Sequence, residues 1–291
     1  MALLFPGRLF GNSFLVTAAI LLVVVFVLVG IFAPLLAPMD PNVQMLTARL
    51  KPPLTQGHLL GTDTLGRDVL SRLIYGARVS LWIGFVVVAL TAVVGVLIGL
   101  ISGYFGGWID SIIMRLADIW LAFPFLVFAV ALVALLGNGQ DKLILALVLA
   151  GWVGFARPVR AETISMRERD YVTSARALGA SPFSIMIKHI LPNVMPSIIV
   201  IAALDLGSVI LAQASLAFLG LGVSADTPTW GGMLADGRAY VGLAWWLTVI
   251  PGLSIFVLVM AVNIIGDWVR DVFDPRSDER FAKLITSAVH E

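Results

Sequence analysis

The chain has 291 residues, of which 59% are hydrophobic and 13% charged, and its mean hydropathy is +0.99. A soluble domain carries roughly 45–50% apolar and 25% charged residues, so this composition describes a polytopic membrane protein. A formal net charge of +1 excludes a basic field for nucleic acid, and the absence of cysteine excludes disulfides and thiolate metal sites.

A spanning helix needs about 20 mostly apolar residues, because the hydrocarbon layer is roughly 30 Å thick and each residue rises about 1.5 Å. The first such run, residues 14–33, carries no charge. It is longer than the roughly 7–15-residue apolar core of a secretory signal and only Arg8 precedes it, so 1–34 reads as an N-terminus and an uncleaved first span. Residues 35–78 follow as an extramembrane segment ending in an amphipathic pre-helix. The second span, 79–101, is again uncharged. Gly95, Gly99, Gly103 and Gly107 recur every fourth residue there, which places small residues on one face: a seam of close helix packing, or a moving gate.

The third and fourth spans, 119–136 and 143–156, are shorter, and Pro124 interrupts the third. Residues 157–193 are polar and rich in cations. The fifth span, 197–219, holds a single charge, Asp205, and the sixth, 247–265, contains Pro251. Residues 268–291 form a polar tail. Continuous apolar runs exclude a transmembrane barrel, whose segments of about ten residues alternate in polarity. The expected fold is an all-α polytopic membrane protein with six transmembrane helices, five of them in a core domain over 79–267.

Lysine and arginine set orientation. With the N-terminus inside, the inner segments hold twelve of these residues and the outer ones seven, so the N- and C-termini and 157–193 are assigned to the cytoplasm. Most of the dissent comes from Arg49, Lys51, Arg67, Arg72 and Arg78, all within 35–78.

The segment 157–193 is punctuated as two short helices joined by a turn. Helix formers over 168–178 are followed by Gly179, placed for a left-handed C-terminal cap. Ser181 then stands as an N-cap with Pro182 at the first helical position of a helix running towards Lys188, and Pro192 and Pro196 mark the return to the membrane. Small residues Ser174, Ala175 and Ala177 leave a surface that another protein can approach closely.

Asp205 lies well inside its span, where an acid costs about 2.5–3.5 kcal/mol on insertion scales. It serves either a helix–helix hydrogen bond or a translocation path, and Gln213, two turns on, extends a candidate polar stripe. His58, His189 and His290 share no ligand spacing, so no metal site is assigned. Trp230, Trp245 and Trp246 fall near the outer membrane edge, where such rings anchor helices.

The string ARALGASPFSIMIKHILPN, 175–193, resembles the "EAA" loop of permease subunits in binding-protein-dependent ABC importers, with Gly179 at the central glycine and Leu191 and Pro192 at the terminal Leu-Pro. Thr173 stands where that motif has Glu, and Ser174 replaces its first Ala. LGTDTLGRDVLSRLIYGARVSL (60–81), TPTWGGML (227–234) and GDWVRDVFDPR (266–276) are similar to the dipeptide/oligopeptide branch, C-type subunit. The resemblance implies a type I ABC importer permease architecture in the bacterial inner membrane. It implies that Thr173, Ser174, Ala175, Arg176, Ala177, Leu178, Gly179, Ala180, Ser181 and Pro182, with Leu191 and Pro192, form the loop that couples to an ATPase. It also implies four partners: a paralogous permease, two ATP-binding subunits holding ATP and Mg, and an extracytoplasmic substrate-binding protein.

The chain has no Gly-Lys dipeptide and hence no Walker A loop, so no nucleotide cofactor is assigned to it and any ATP must act from other subunits. Peptides are the substrate the family implies, with nickel and glutathione as alternatives. An ion-driven secondary transporter would show inverted repeats and several intramembrane charges. A membrane enzyme would need an acid/base pair or nucleophile among the spans, and neither pattern is present.

Overall fold

A computed structural model describes residues 13–224 and 226–273. Among them every regular element is helical: α1 (Ser13–Ile31), α2 (Ala33–Leu36), α3 (Val69–Phe105), α4 (Gly107–Leu121), α5 (Phe125–Leu136), α6 (Gln140–Gly151), α7 (Val153–Arg167), α8 (Asp170–Ala177), α9 (Pro182–Ile185), α10 (Leu191–Phe218), α11 (Trp230–Gly237) and α12 (Trp246–Phe273). Arg8, His290 and the tail from 274 onward lie outside the described residues. Five stretches are long and apolar enough to cross a membrane, and α4 with α5 makes a sixth when that bent pair is counted as one span.

The central element is α3. Asp68 caps it by accepting from the Ser71 N–H at 2.8 Å, and it then runs unbroken for 37 residues, about 55 Å. It therefore absorbs both the expected pre-helix and the second span, and no break falls at 78/79. The glycine seam on α3 is a packing surface: a Cβ on Gly95 would lie 2.6 Å from Phe155 Cβ, one on Gly99 2.6 Å from Ala156 O, and one on Gly103 2.7 Å from Thr163 Cβ. These contacts advance together along both chains, so α3 and α7 run side by side in the same direction. Gly107 is not on the seam; it starts α4 with nothing within 4 Å of its Cβ position.

The expected third span, 119–136, is not straight. α4 and α5 meet at 92° across Ala122–Pro124, where proline lacks an N–H and pushes the preceding residue away from helical geometry. α5 then returns as a hairpin against α6. The fourth span is longer than expected, because α6 and α7 together carry it to Arg167. Pro192 and Pro196, expected at the return to the membrane, both fall within α10. A π turn over Met186–Ile190 lets the Leu191 N–H reach Met186 O, and the wider turn accommodates Pro192 within one apolar stretch, Pro182–Phe218.

The core has two parts. One gathers Ile83, Val87, Leu143, Leu147, Phe155 and Leu216 from α3, α6, α7 and α10; the other joins α3, α10, α11 and α12 around Trp230. α1 is peripheral, its side chains largely uncovered on the face away from α3 and α12. Trp230 and Trp246 are not membrane anchors. Both are buried, and their ring N–H groups donate to Leu73 O at 3.0 Å and Thr62 O at 3.2 Å, whereas Trp245 is exposed.

Candidate coupling site

Residues 168–190 fold as the expected pair of short helices at one end of the bundle. Asp170 in the first turn and Arg176 in the last complement the helix dipole of α8. The turn after it is a Schellman cap: Gly179 has φ +83°, its N–H donates to Arg176 O at 3.0 Å, and the Ala180 N–H donates to Ala175 O at 3.1 Å. Ser181 Oγ then accepts from the Ser184 N–H at 3.3 Å, with Pro182 at the first helical position of α9.

The inner face of this unit is locked to the bundle. Val172 is fully buried in the same apolar cluster as Ile185, Met186, Ile190 and Val194, against which Tyr104 of α3 also packs. The outer face is uncovered: Leu178 is 89% exposed and Phe183 70%. Thr173, Ser174, Arg176, Ala177, Gly179, Ser181 and Pro182 are exposed beside them, and Ala175 and Ala180 are half-buried. The geometry thus brings 173–182 into one surface. Leu191 and Pro192 are not part of it; they lie beyond the π turn, with Leu191 partly covered by the bundle core.

Thr173 Oγ1 donates to Asp170 O at 2.9 Å, so the residue at the motif's glutamate position is turned back onto its own helix. It lines an open cleft of about 460 Å³ with Tyr104, Arg167, Glu168 and Arg176. The Arg176 guanidinium sits 5.7 Å from the Tyr104 ring centroid, and Arg167 Nη1 donates to Gly103 O at 3.0 Å. Nearby, Arg160 pairs with Asp110, whose carboxylate also accepts from Ser102, and Arg157 pairs with Asp118.

Asp205 and Gln213 differ in burial along α10. Eight residues place them about 80° apart around α10; Asp205 is half-buried and Gln213 is 1% exposed. Gln213 Oε1 makes no hydrogen bond among the described residues.

A second polar cluster, at the opposite end of the bundle, escaped the sequence reading. Arg67 donates to Asp63 at 2.6 Å and to Asp236 at 3.0 Å, and Arg72 lies 3.7 Å from Asp63 and 3.8 Å from Asp236. His58 Nδ1 is 3.0 Å from the capping Asp68. All but Asp236 are buried. The four-residue spacing of Asp63 and Arg67 was a legible signal; the pairing with Asp236, 169 residues away, was not.

A family profile described as binding-protein-dependent transport system inner membrane component matches residues 95–279, which include the double helix and both of its flanking spans. The chain belongs to this permease family. Residues 7–53 match a second profile, the N-terminal transmembrane domain of oligopeptide transport permease C. The chain is 45% identical over 262 residues to the di/tripeptide transport system permease protein DppC of Pseudomonas aeruginosa, covering 88% of this chain and 86% of that one. It is 42% identical to the probable D,D-dipeptide transport system permease protein DdpC of Escherichia coli (92% and 89%). With the glutathione transport system permease protein GsiD of Pectobacterium atrosepticum it shares 38% (93% and 91%). The permease fold is also that of a chain of the inward-facing MetNI methionine ABC transporter, at a TM-score of 0.56 and 19% identity, over 69% of this chain and 96% of the other.

Proposed function

We propose that this permease is one half of the membrane channel of an ATP-driven importer of di- and oligopeptides. It sits in the bacterial cytoplasmic membrane with both termini and α8–α9 on the inside. A paralogous permease completes the path, two ATPase subunits carry ATP and Mg, and an extracytoplasmic binding protein delivers substrate to the end formed by residues 37–68 and α11. The observation that carries the reading is the double helix itself: a unit locked to the bundle by Val172 that displays Leu178 and Phe183 to water. Two apolar side chains on a rigid, glycine-turned tip suit a cleft on another subunit.

When the ATPases close on nucleotide, a docked tip moves with them and biases the bundle between its inward- and outward-open states; hydrolysis resets it. Asp205, half-buried and acidic, is the candidate path residue on α10. Peptide as the substrate rests on what the relatives are named for, and the GsiD relative supports glutathione, itself a tripeptide thiol, as the second reading.

Gly179 provides the test of docking. Its Cβ position is open but its φ is left-handed, so a β-branched residue meets backbone strain alone, about 1–2 kcal/mol, whereas Asn tolerates this region. In the assembled importer, Gly179→Val is expected to abolish uptake and stimulated ATP hydrolysis while Gly179→Asn retains both. Unchanged coupling in Gly179→Val would refute the assignment. Competition between dipeptide and glutathione for uptake in the same vesicles separates the two substrate readings.

A further inference from the structure

We infer that α3 is the rod that carries motion between the coupling double helix and the far end of the molecule, with Tyr104 as its inner fitting and Asp236 as its outer one. This rests on reading α8–α9 as the ATPase contact and adds the route by which that contact is felt.

Stiffness selects the element. α1 is unbroken but only 19 residues long, and the other long helices are interrupted: α10 contains Pro196 and follows a π turn, α12 contains Pro251, α6–α7 breaks at Trp152 and contains Pro158, and α4–α5 is bent by 92°. α3 has neither proline nor break in 37 residues. Proline and π turns are where helices flex, so a push on α8 is dissipated along α10 and conserved along α3.

The inner end of α3 is fastened to the coupling unit by side chains rather than by chain continuity. Arg176 of α8 rests on the Tyr104 ring at 5.7 Å, and Arg167, just before α8, donates to Gly103 O at 3.0 Å. Tyr104 also packs on the cluster that buries Val172. The glycine seam then holds α7 against α3 so that the two shift together.

The outer end is fastened more heavily. Within its first turns α3 offers Asp68, Ser71, Arg72 and the Leu73 carbonyl, and these bind the 58–68 loop and α11: His58 to Asp68, Arg72 to Asp63 and Asp236, and Trp230 Nε1 to Leu73 O. Arg67 ties the loop to α11 directly through Asp236 at 3.0 Å. The end formed by 37–68 and α11 is therefore carried by the same helix that receives Arg176, about 55 Å away.

The experiment uses the complete importer in lipid vesicles, with the partner permease, both ATPases and the binding protein. Tyr104→Leu removes the π face and keeps an apolar side chain. It is expected to leave ATPase co-purification and basal hydrolysis as in the parent. The stimulation by binding protein and the peptide taken up per ATP should fall by roughly fivefold or more, within the usual range of coupling between distant sites. Tyr104→Phe should restore both. Asp236→Asn, at the other end and half-exposed, should give the same pattern. Full stimulation in Tyr104→Leu or in Asp236→Asn would overturn the rod, and so would loss of ATPase co-purification in Tyr104→Leu, which would make the ring part of the docking surface. These outcomes are separate from the docking reading, which stands or falls with Gly179→Val.

Discussion

The two ends of this permease solve opposite problems. At the end built from residues 37–68 and α11, charged groups are drawn inward: Asp63, Arg67, Asp68 and Arg72 are all buried and each finds partners within the chain. At the double-helix end the apolar residues Leu178 and Phe183 are turned outward and find none within it. The first end satisfies its buried charges within the chain, because a buried charge without its partner costs several kcal/mol and the fold supplies that partner. The second has no such charge pairs at its tip among the described residues and leaves Leu178 and Phe183 uncovered, which is the feature the proposed docking would use.

This contrast is sharpest for Arg67→Met. Removing the guanidinium leaves Asp63 and Asp236 to share Arg72 alone at 3.7 and 3.8 Å, and a loss of about 3–5 kcal/mol is expected, read as a lower unfolding midpoint of the purified protein. A stability equal to the parent's would show that the cluster is solvated and the comparison false.

Gly99→Val on the α3–α7 seam comes next, because its Cβ would lie 2.6 Å from Ala156 O and 2.9 Å from Val159 Cβ. A loss of about 1–3 kcal/mol is expected by the same measurement. Gly154→Ala, where nothing lies within 4 Å, is the matched control and should shift stability by no more than about 1 kcal/mol, in the favourable direction.

At the double-helix end the effects shrink. Ser181→Ala deletes the cap bond to the Ser184 N–H and should cost about 1 kcal/mol, detected as faster amide exchange confined to α9. Leu178→Ser should change stability by less than about 0.5 kcal/mol, since the side chain is already in water, yet reduce co-purification of the ATPases severalfold. If Leu178→Ser instead destabilised the isolated chain while leaving assembly intact, the outward apolar tip would be a packing element and the two ends would not differ in kind.

Much of the coupling unit was legible because its determinants are local. Ser181-Pro182 and the glycine at 179 each act within one turn, and the caps fall where residue type alone places them. The pairing of the tip with the bundle was not, since Val172 joins the cluster that holds Ile190 and Val194 only after the chain has turned back. The dissent within the charge count has a related reason. Arg67 and Arg72 weighed as outward cations in the orientation argument, whereas in the folded chain they are neutralised by Asp63 and Asp236. Likewise Pro124 announced an interruption but not its size, because a proline removes a hydrogen bond and leaves the new direction to the packing around it.

What residue order settled alone was what depends on one continuous stretch of chain: which runs are apolar long enough for lipid, where α8 and α9 are capped, and which face of α3 is lined with glycine. Tertiary structure decided what depends on residues far apart: that Trp230 serves α3 rather than the membrane edge, that Asp236 closes a charge cluster begun at Asp63, and that Gln213 is enclosed while Asp205 is not. The division follows from range. Caps act over one helical turn and hydropathy over one continuous run, whereas burial and charge pairing are properties of the assembled bundle.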